Sequence, residues 1–262
     1  MKRTLEFLKN FVALESVSWE AVQEIRKRFE ASPLGLLDSI QATPQRTIET
    51  IKNILQVVQD LEINLDQLEP GHGLGHLTRD YVHALILSRG GALQNAAEQH
   101  VGLIAGVFHD LLGCSIVNRY DDHKKAVRHA EASGLFLSFI GKSVGMNENE
   151  ILAVAYAMSA HTHYLKASSV KCEDGIERKI APYLDGTEAS PFGYIWFPRW
   201  CDRLDLNGPA YVGRHFLTLC ETHEDLGQDD FYTLKFSEQM VPSLRSNDEI
   251  KAVGGTKTMR EH

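Results

Sequence analysis

Cysteine is scarce. The chain has four in 262 residues, Cys114, Cys172, Cys201 and Cys220, and none forms a C-x-x-C pair. That is too few for a disulfide scaffold of this size, and it reads as reduced thiols in a cytosolic protein. Long apolar runs are also lacking. None approaches the ~18 residues of a membrane span; stretches such as GLFLSFIG at 134–141 have core-helix length. The start, MKRTLEFLKNF, has charges among its apolar positions and lacks the continuous apolar region of a signal peptide. No basic cluster stands out, and the net charge is -8. These features argue against a membrane and against duplex nucleic acid as the main partner. They leave room for a small anionic substrate, because a bound metal can supply positive charge locally. Internal repeats, low-complexity tracts and a strand-turn-strand pattern are not found either.

What is present is ordinary globular composition, 43% hydrophobic and 24% charged, in a chain long enough for one large core or two small ones. Helical spacing dominates, and the expected class is all-α. Apolar positions recur at helical steps over 2–14 and 19–30, and Pro33 and Gly35 interrupt them. Thr43-Pro44 reads as an N-cap with proline in the first turn. Ile48, Ile51, Leu55 and Val58 form the expected buried stripe of the helix it opens. After the turn Pro70-Gly71-His72-Gly73, helices are expected from about Leu74 to Ser88 and from about Leu93 to Phe108. A third runs from Asp121-Asp122 to about Ile140. Asn147 and Glu150 have capping-box spacing and open a fourth, reaching His161. Residues 165–191 read as a long polar excursion. Pro198 is expected to start a short helix that Asn207-Gly208 caps. Helices near 210–222 and 229–241 and a polar tail after Ser246 complete the chain.

Histidine is where the chain departs from the ordinary. Nine of the twelve lie between His72 and His163, a clustering that points to metal or acid-base chemistry. His109-Asp110 ends an apolar helix, where unpaired polar groups are costly and a metal would satisfy both. An Asp has two oxygens and can bridge two ions. His76, Asp80 and His83 share one face of a helix at steps of four and three, with Arg79 beside them. That stripe is either solvated or borders the interior. His129 is surrounded by Ala126, Ala130, Ser133 and Gly134, small enough to admit a ligand or a neighbouring helix. Lys124, Lys125 and Arg128 beside it suit an anion or a solvated face. His161 aligns with Val154, Ala157 and Met158 and points inward; His163 can join it only if the helix ends there. Asp202 and Asp205, with Arg203 between them, form either a second carboxylate source for a cation or a surface ion-pair network.

Taken in order, His76, His109-Asp110 and Asp202 read as H…HD…D. This resembles the HD-domain superfamily of metal-dependent phosphohydrolases. The segments GHLTRDYVHAL, AGVFHDLLG, HAEASGLFL, AMSAHTH and CDRLDLNG are similar to its successive ligand-bearing helices, over about 70–220. The resemblance implies a single HD-type helical bundle at 70–245. The helical residues 1–69 are not part of the family's core pattern and are expected to pack on it as an extension, and 246–262 reads as a polar tail. The resemblance also implies that His76, His109, Asp110 and Asp202 bind one divalent transition metal (Mn, Fe, Co, Ni or Zn); binuclear members hold a second ion bridged by the HD aspartate, for which the matching positions are His129 and His161, with His163 a further candidate. The implied activity is hydrolysis of a phosphoester or phosphoanhydride of a small molecule, such as a nucleotide, by a metal-activated water. Asp110, Asp202, His129 and Asp205 are then the expected catalytic set. Arg79, Lys124 and Arg203 are expected to steady the phosphate. The expected partner is a small phosphorylated substrate, in a cytoplasmic protein that can be a homo-oligomer. A diiron oxygenase of the same superfamily and a non-catalytic nucleotide-sensing module are the alternatives.

Overall fold

The computed structural model of the protein describes residues 19–63, 73–112, 129–161, 169–179 and 192–205. These form α1 (Trp19–Ala31), α2 (Pro44–Asp60), α3 (Leu74–Arg89), α4 (Ala96–Phe108), α5 (His129–Ile140), α6 (Glu148–Ser159) and α7 (Gly193–Asp205). Between α6 and α7 lies one antiparallel pair, β1 (Ser169–Lys171) with β2 (Glu177–Lys179). The described residues are thus mostly helical. The expected helices at 2–14, 210–222 and 229–241, the first turns of the helix from Asp121, the Pro70–His72 part of the turn, the Asn207-Gly208 cap and the tail lie outside them.

Local chemistry explains where the helices begin. The Thr43 hydroxyl accepts from the Arg46 amide at 3.1 Å, with Pro44 as the first helical residue. The Asn147 side chain accepts from the Glu150 amide at 2.9 Å, and the Glu150 carboxylate accepts from the Asn147 amide at 2.6 Å, a complete capping box. Asn95 caps α4 in the same way through the Glu98 amide.

Three local expectations are corrected. On α2, Ile48 and Leu55 are exposed, and the buried face is Thr47, Thr50, Ile51, Ile54 and Val58. Both threonines can be buried because their hydroxyls donate to backbone carbonyls one turn back, Thr43 O and Arg46 O. Pro198 lies inside α7 rather than at its start. Its missing N–H costs one helical hydrogen bond, but Tyr194, Ile195, Trp196 and Phe197 are all buried just before it, and their burial holds the extra turn in place. Finally, residues 169–179 form a hairpin. Its loop closes through Cys172 N to Ile176 O at 3.0 Å, with Gly175 at φ 82, the three-residue turn that ends on a left-handed glycine. The loop carboxylate of Glu173 accepts from Ser32 Oγ at 2.7 Å and from the Leu34 and Gly35 amides, which ties the hairpin to the turn after α1.

α4 lies at the centre, packed by α2, α3, α6 and α7. Its sequence is apolar almost all round, as a helix covered on every side requires. One apolar cluster runs continuously from Val22 on α1 to Cys201 on α7. The Phe29 ring of α1 stacks on Tyr156 of α6 at 3.8 Å. Glycines allow two close helix approaches. A Cβ on Gly106 of α4 would lie 3.2 Å from Cys201 Sγ, and one on Gly102 would lie 3.3 Å from Phe197, so these glycines form the groove in which α7 rests. A Cβ on Gly134 of α5 would lie 2.4 Å from the Ala155 carbonyl of α6. Among the described residues, no helix is long and apolar enough to cross a membrane.

Candidate metal centre

Histidine and aspartate side chains from five helical segments converge at one place. α3 carries His76 and Asp80, and the end of α4 carries His109 and Asp110. α5 carries His129, His161 lies just beyond α6, and α7 brings Asp202 and Asp205. The ligand atoms of His76, His109, Asp110 and Asp202 all lie within 4.8 Å of one another, as do those of Asp110, His129 and His161, and those of His76, Asp80 and Asp205. His76, His109, Asp110, His161, Asp80 and Asp205 are buried; His129 and Asp202 are partly so.

Asp110 is the hub. Its Oδ2 lies 3.2 Å from His76 Nε2 and 3.7 Å from His109 Nε2. Its Oδ1 lies 3.3 Å from His129 Nε2 and 3.2 Å from His161 Nε2. One carboxylate therefore faces two pairs of imidazoles, one pair from each oxygen.

The backbone and Asp205 fix which ring nitrogen each histidine presents. His109 Nδ1 donates to the Gly106 carbonyl at 2.9 Å, and His161 Nδ1 to the Met158 carbonyl at 2.7 Å. His76 Nδ1 bonds to Asp205 Oδ2 at 2.8 Å. In all three the Nε2 atom is turned to the cluster, and a partner behind each ring holds it there, as in metal sites where the outer contact orients the ligand. His109 Nε2 is buried and has no hydrogen-bond partner among the described residues. Orphaned buried nitrogens are rare and call for an explanation; a cation among the carboxylates supplies one. The donor set of imidazole and carboxylate fits a divalent transition metal.

Charge and burial compete here. Burial alone would keep His76 neutral, but Asp80, Asp110 and Asp205 around it outweigh burial and raise its pKa well above the ordinary value. Burial opposes the charge of His161 too, and Asp110 and Asp202 outweigh it and raise the pKa. His109 is lowered because burial dominates. Asp110 is held well below the usual carboxylate range: burial opposes its charge, and the surrounding histidines overcome that. The cluster favours positive charge at its centre.

Of the other expected site residues, Asp205 takes an unexpected place. It is buried behind His76 and accepts from Arg79 Nε at 2.5 Å and Arg79 Nη2 at 3.1 Å. It thus orients the His76 ring, and Arg79 is bonded to a carboxylate. The Arg203 backbone lies in α7. Lys124 and His163 lie outside the described residues. Asp80 is not among the expected ligands, although its spacing of four from His76 already puts the two on one face.

No protein-family model, curated protein or solved structure matches the chain. The chemistry of the site therefore rests on its geometry.

Proposed function

We propose that the protein is a metal-dependent phosphohydrolase that cleaves a phosphoester or phosphoanhydride of a small molecule, such as a nucleotide. The observation that carries this reading is the convergence of His76, His109, Asp110 and Asp202, brought by α3, the end of α4 and α7, on one mostly buried point. The order of these residues also resembles the H…HD…D pattern.

In this reading His76, His109, Asp110 and Asp202 hold one divalent ion. Asp110 Oδ1, His129 and His161 offer a place for a second. A bound ion contributes Lewis acidity and lowers the pKa of water towards neutrality, to about 7 in favourable sites. The chain's own residues do the rest. Asp205 and the Gly106 and Met158 carbonyls keep the three imidazoles in the tautomer that presents Nε2. The surrounding apolar helices exclude bulk water, which strengthens each electrostatic contact. His129, with 21% of its side chain exposed, is the most open of the four histidines. In this reading it is either a ligand of that second ion or, where one ion binds, the group that gives a proton to the leaving oxygen.

The test is a hydrolysis screen over nucleotides and phosphomonoesters in added Mn, Fe, Co, Ni or Zn, run beside Asp110→Ala. The wild type is expected to turn over at least one substrate and the variant none. Equal activity in both sinks the assignment. The pairing of Asp110 with His129 and His161 also favours a second reading, a diiron oxygenase. Iron-dependent oxygen consumption in place of hydrolysis would select it. Nucleotide binding without turnover, tolerant of Asp110→Asn, would select a sensing module.

A further inference from the structure

Asp80 has a position that the H…HD…D pattern does not explain. It is fully buried, and neither carboxylate oxygen has a hydrogen-bond partner among the described residues. A buried carboxylate is costly unless positive charge offsets it, and the groups facing Asp80 here are imidazoles, including His83 Nδ1 at 3.8 Å from Oδ1. Its Oδ2 lies 3.0 Å from His76 Nε2 and 3.7 Å from His109 Nε2. Asp110 Oδ2 lies 3.2 Å and 3.7 Å from the same two atoms. The two carboxylates are therefore placed almost alike with respect to the two imidazole nitrogens.

These separations have a simple meaning. Ligand atoms at ~2.1 Å from one ion lie about 3.0 Å apart at right angles and about 3.4 Å apart at tetrahedral angles. The four separations here, 3.0, 3.2, 3.7 and 3.7 Å, fall at or just beyond that range, as expected of ligands that would draw in slightly on an ion.

We infer that Asp80 is a direct ligand of the ion held by His76, His109, Asp110 and Asp202, giving a shell of two imidazoles and three carboxylates. The inference rests on the metal-centre reading and specifies it further. Three carboxylates make the site hard and anionic, and five protein ligands exceed the four of ordinary zinc sites. Such a shell narrows the usual advantage of Zn over Mn.

The test compares apo protein, prepared with a chelator, as wild type, Asp80→Asn, Asp80→Ala and Asp110→Ala, titrated with Mn(II) and separately with Zn(II). Asp80→Asn is expected to weaken Mn binding by at least about tenfold, the lower end of what even supporting residues contribute, and to weaken Zn binding less. The Zn-to-Mn affinity ratio therefore rises, which a mere loss of stability would not produce. Unchanged Mn affinity and ratio in both Asp80 variants, with Asp110→Ala impaired, overturns the role of Asp80 and leaves the metal centre standing. A wild type that binds neither metal overturns both. If these Asp80 variants do not fold, Asp80→Glu replaces them: a changed Mn affinity and Zn-to-Mn ratio supports the inference, and values equal to those of the wild type refute it.

Discussion

Replacing Gly134 with alanine tests whether the approach of α5 to α6 sets the geometry of the cluster. The added methyl carbon would lie 2.2 Å from Ser159 Oγ and 2.4 Å from the Ala155 carbonyl oxygen. Ordinary contact between such atoms is ~3.5 Å, so α5 would have to move away by about 1 Å. The obstacle includes backbone, which cannot rotate aside as a side chain can. Overpacking of this kind costs about 3 kcal/mol at the upper end of its usual range. Alanine recovers about 1 kcal/mol of helix propensity. The net loss is therefore about 2 kcal/mol, or roughly 4–8 °C in Tm for a chain of this size. Urea and thermal denaturation monitored by circular dichroism measure it. Adding Ser159→Ala removes the hydroxyl but not the carbonyl, so the double variant should regain only part of the loss. Because α5 carries His129, metal affinity should fall together with stability. A Gly134→Ala protein as stable as the wild type would refute the packing argument.

Four further outcomes are expected. Burial keeps His100 neutral: its pKa is lowered to about 4 from 6.5, although the Glu150 carboxylate pulls it upward, and the Arg46 charge adds to the lowering. As pH falls from 6.5 to 4 the unfolded chain takes up this proton first, so stability present above pH 6.5 is lost through that window, by about 3 kcal/mol at most; His100→Gln should flatten the loss in urea titrations at pH 7 and pH 4.5. Glu150→Gln removes the partner of Arg46, 2.7 Å away across α2 and α6, and should cost about 3 kcal/mol in the same assay, because Glu150 is fully buried. Asp205→Asn weakens the hold on His76 Nδ1 and should lower metal affinity about 10–100-fold by isothermal titration, with the helical content unchanged. Saturating metal at about 100 times its Kd should stabilise the wild type by about 2.7 kcal/mol; a chelator should reverse this, and Asp110→Ala should show no shift in Tm.

Much of the scaffold is legible in the sequence because its signals are local. Thr43-Pro44 and the Asn147 and Glu150 pair announce their helices by the hydrogen bonds they make within four residues. The convergence of His76, His109, Asp110 and Asp202 is legible for another reason: their order resembles the H…HD…D pattern, and polar residues at the end of an apolar helix need a partner. What escapes depends on distant packing. Thr47 is buried where apolar spacing favours Ile48, because Thr47 Oγ1 lies 2.9 Å from His100 Nδ1 on α4. Pro198 reads as a helix start until the four buried side chains before it are placed against their neighbours. Asp205 sits one turn beyond Asp202 and reads as a catalytic base; only the fold shows it behind His76. The hairpin has a local signal, Asp174-Gly175, but its strands have three residues each, too short for alternation to show.

The candidate ligands come from α3, α4, α5, α7 and the end of α6, and thus from segments far apart along the chain. In the unfolded chain, gathering them would close loops of up to on the order of a hundred residues, at an entropy cost that rises with loop length. The unfolded chain would therefore hold an ion poorly, and nearly all of the binding energy would act on the folded state. An ion at this position would fasten five segments of a chain in which the two described cysteines, Cys172 and Cys201, are free. Helices that fray separately in the apo protein would then open only together. Amide exchange across α3, α4 and α7 would change from a graded series of local openings to a single concerted one when metal binds.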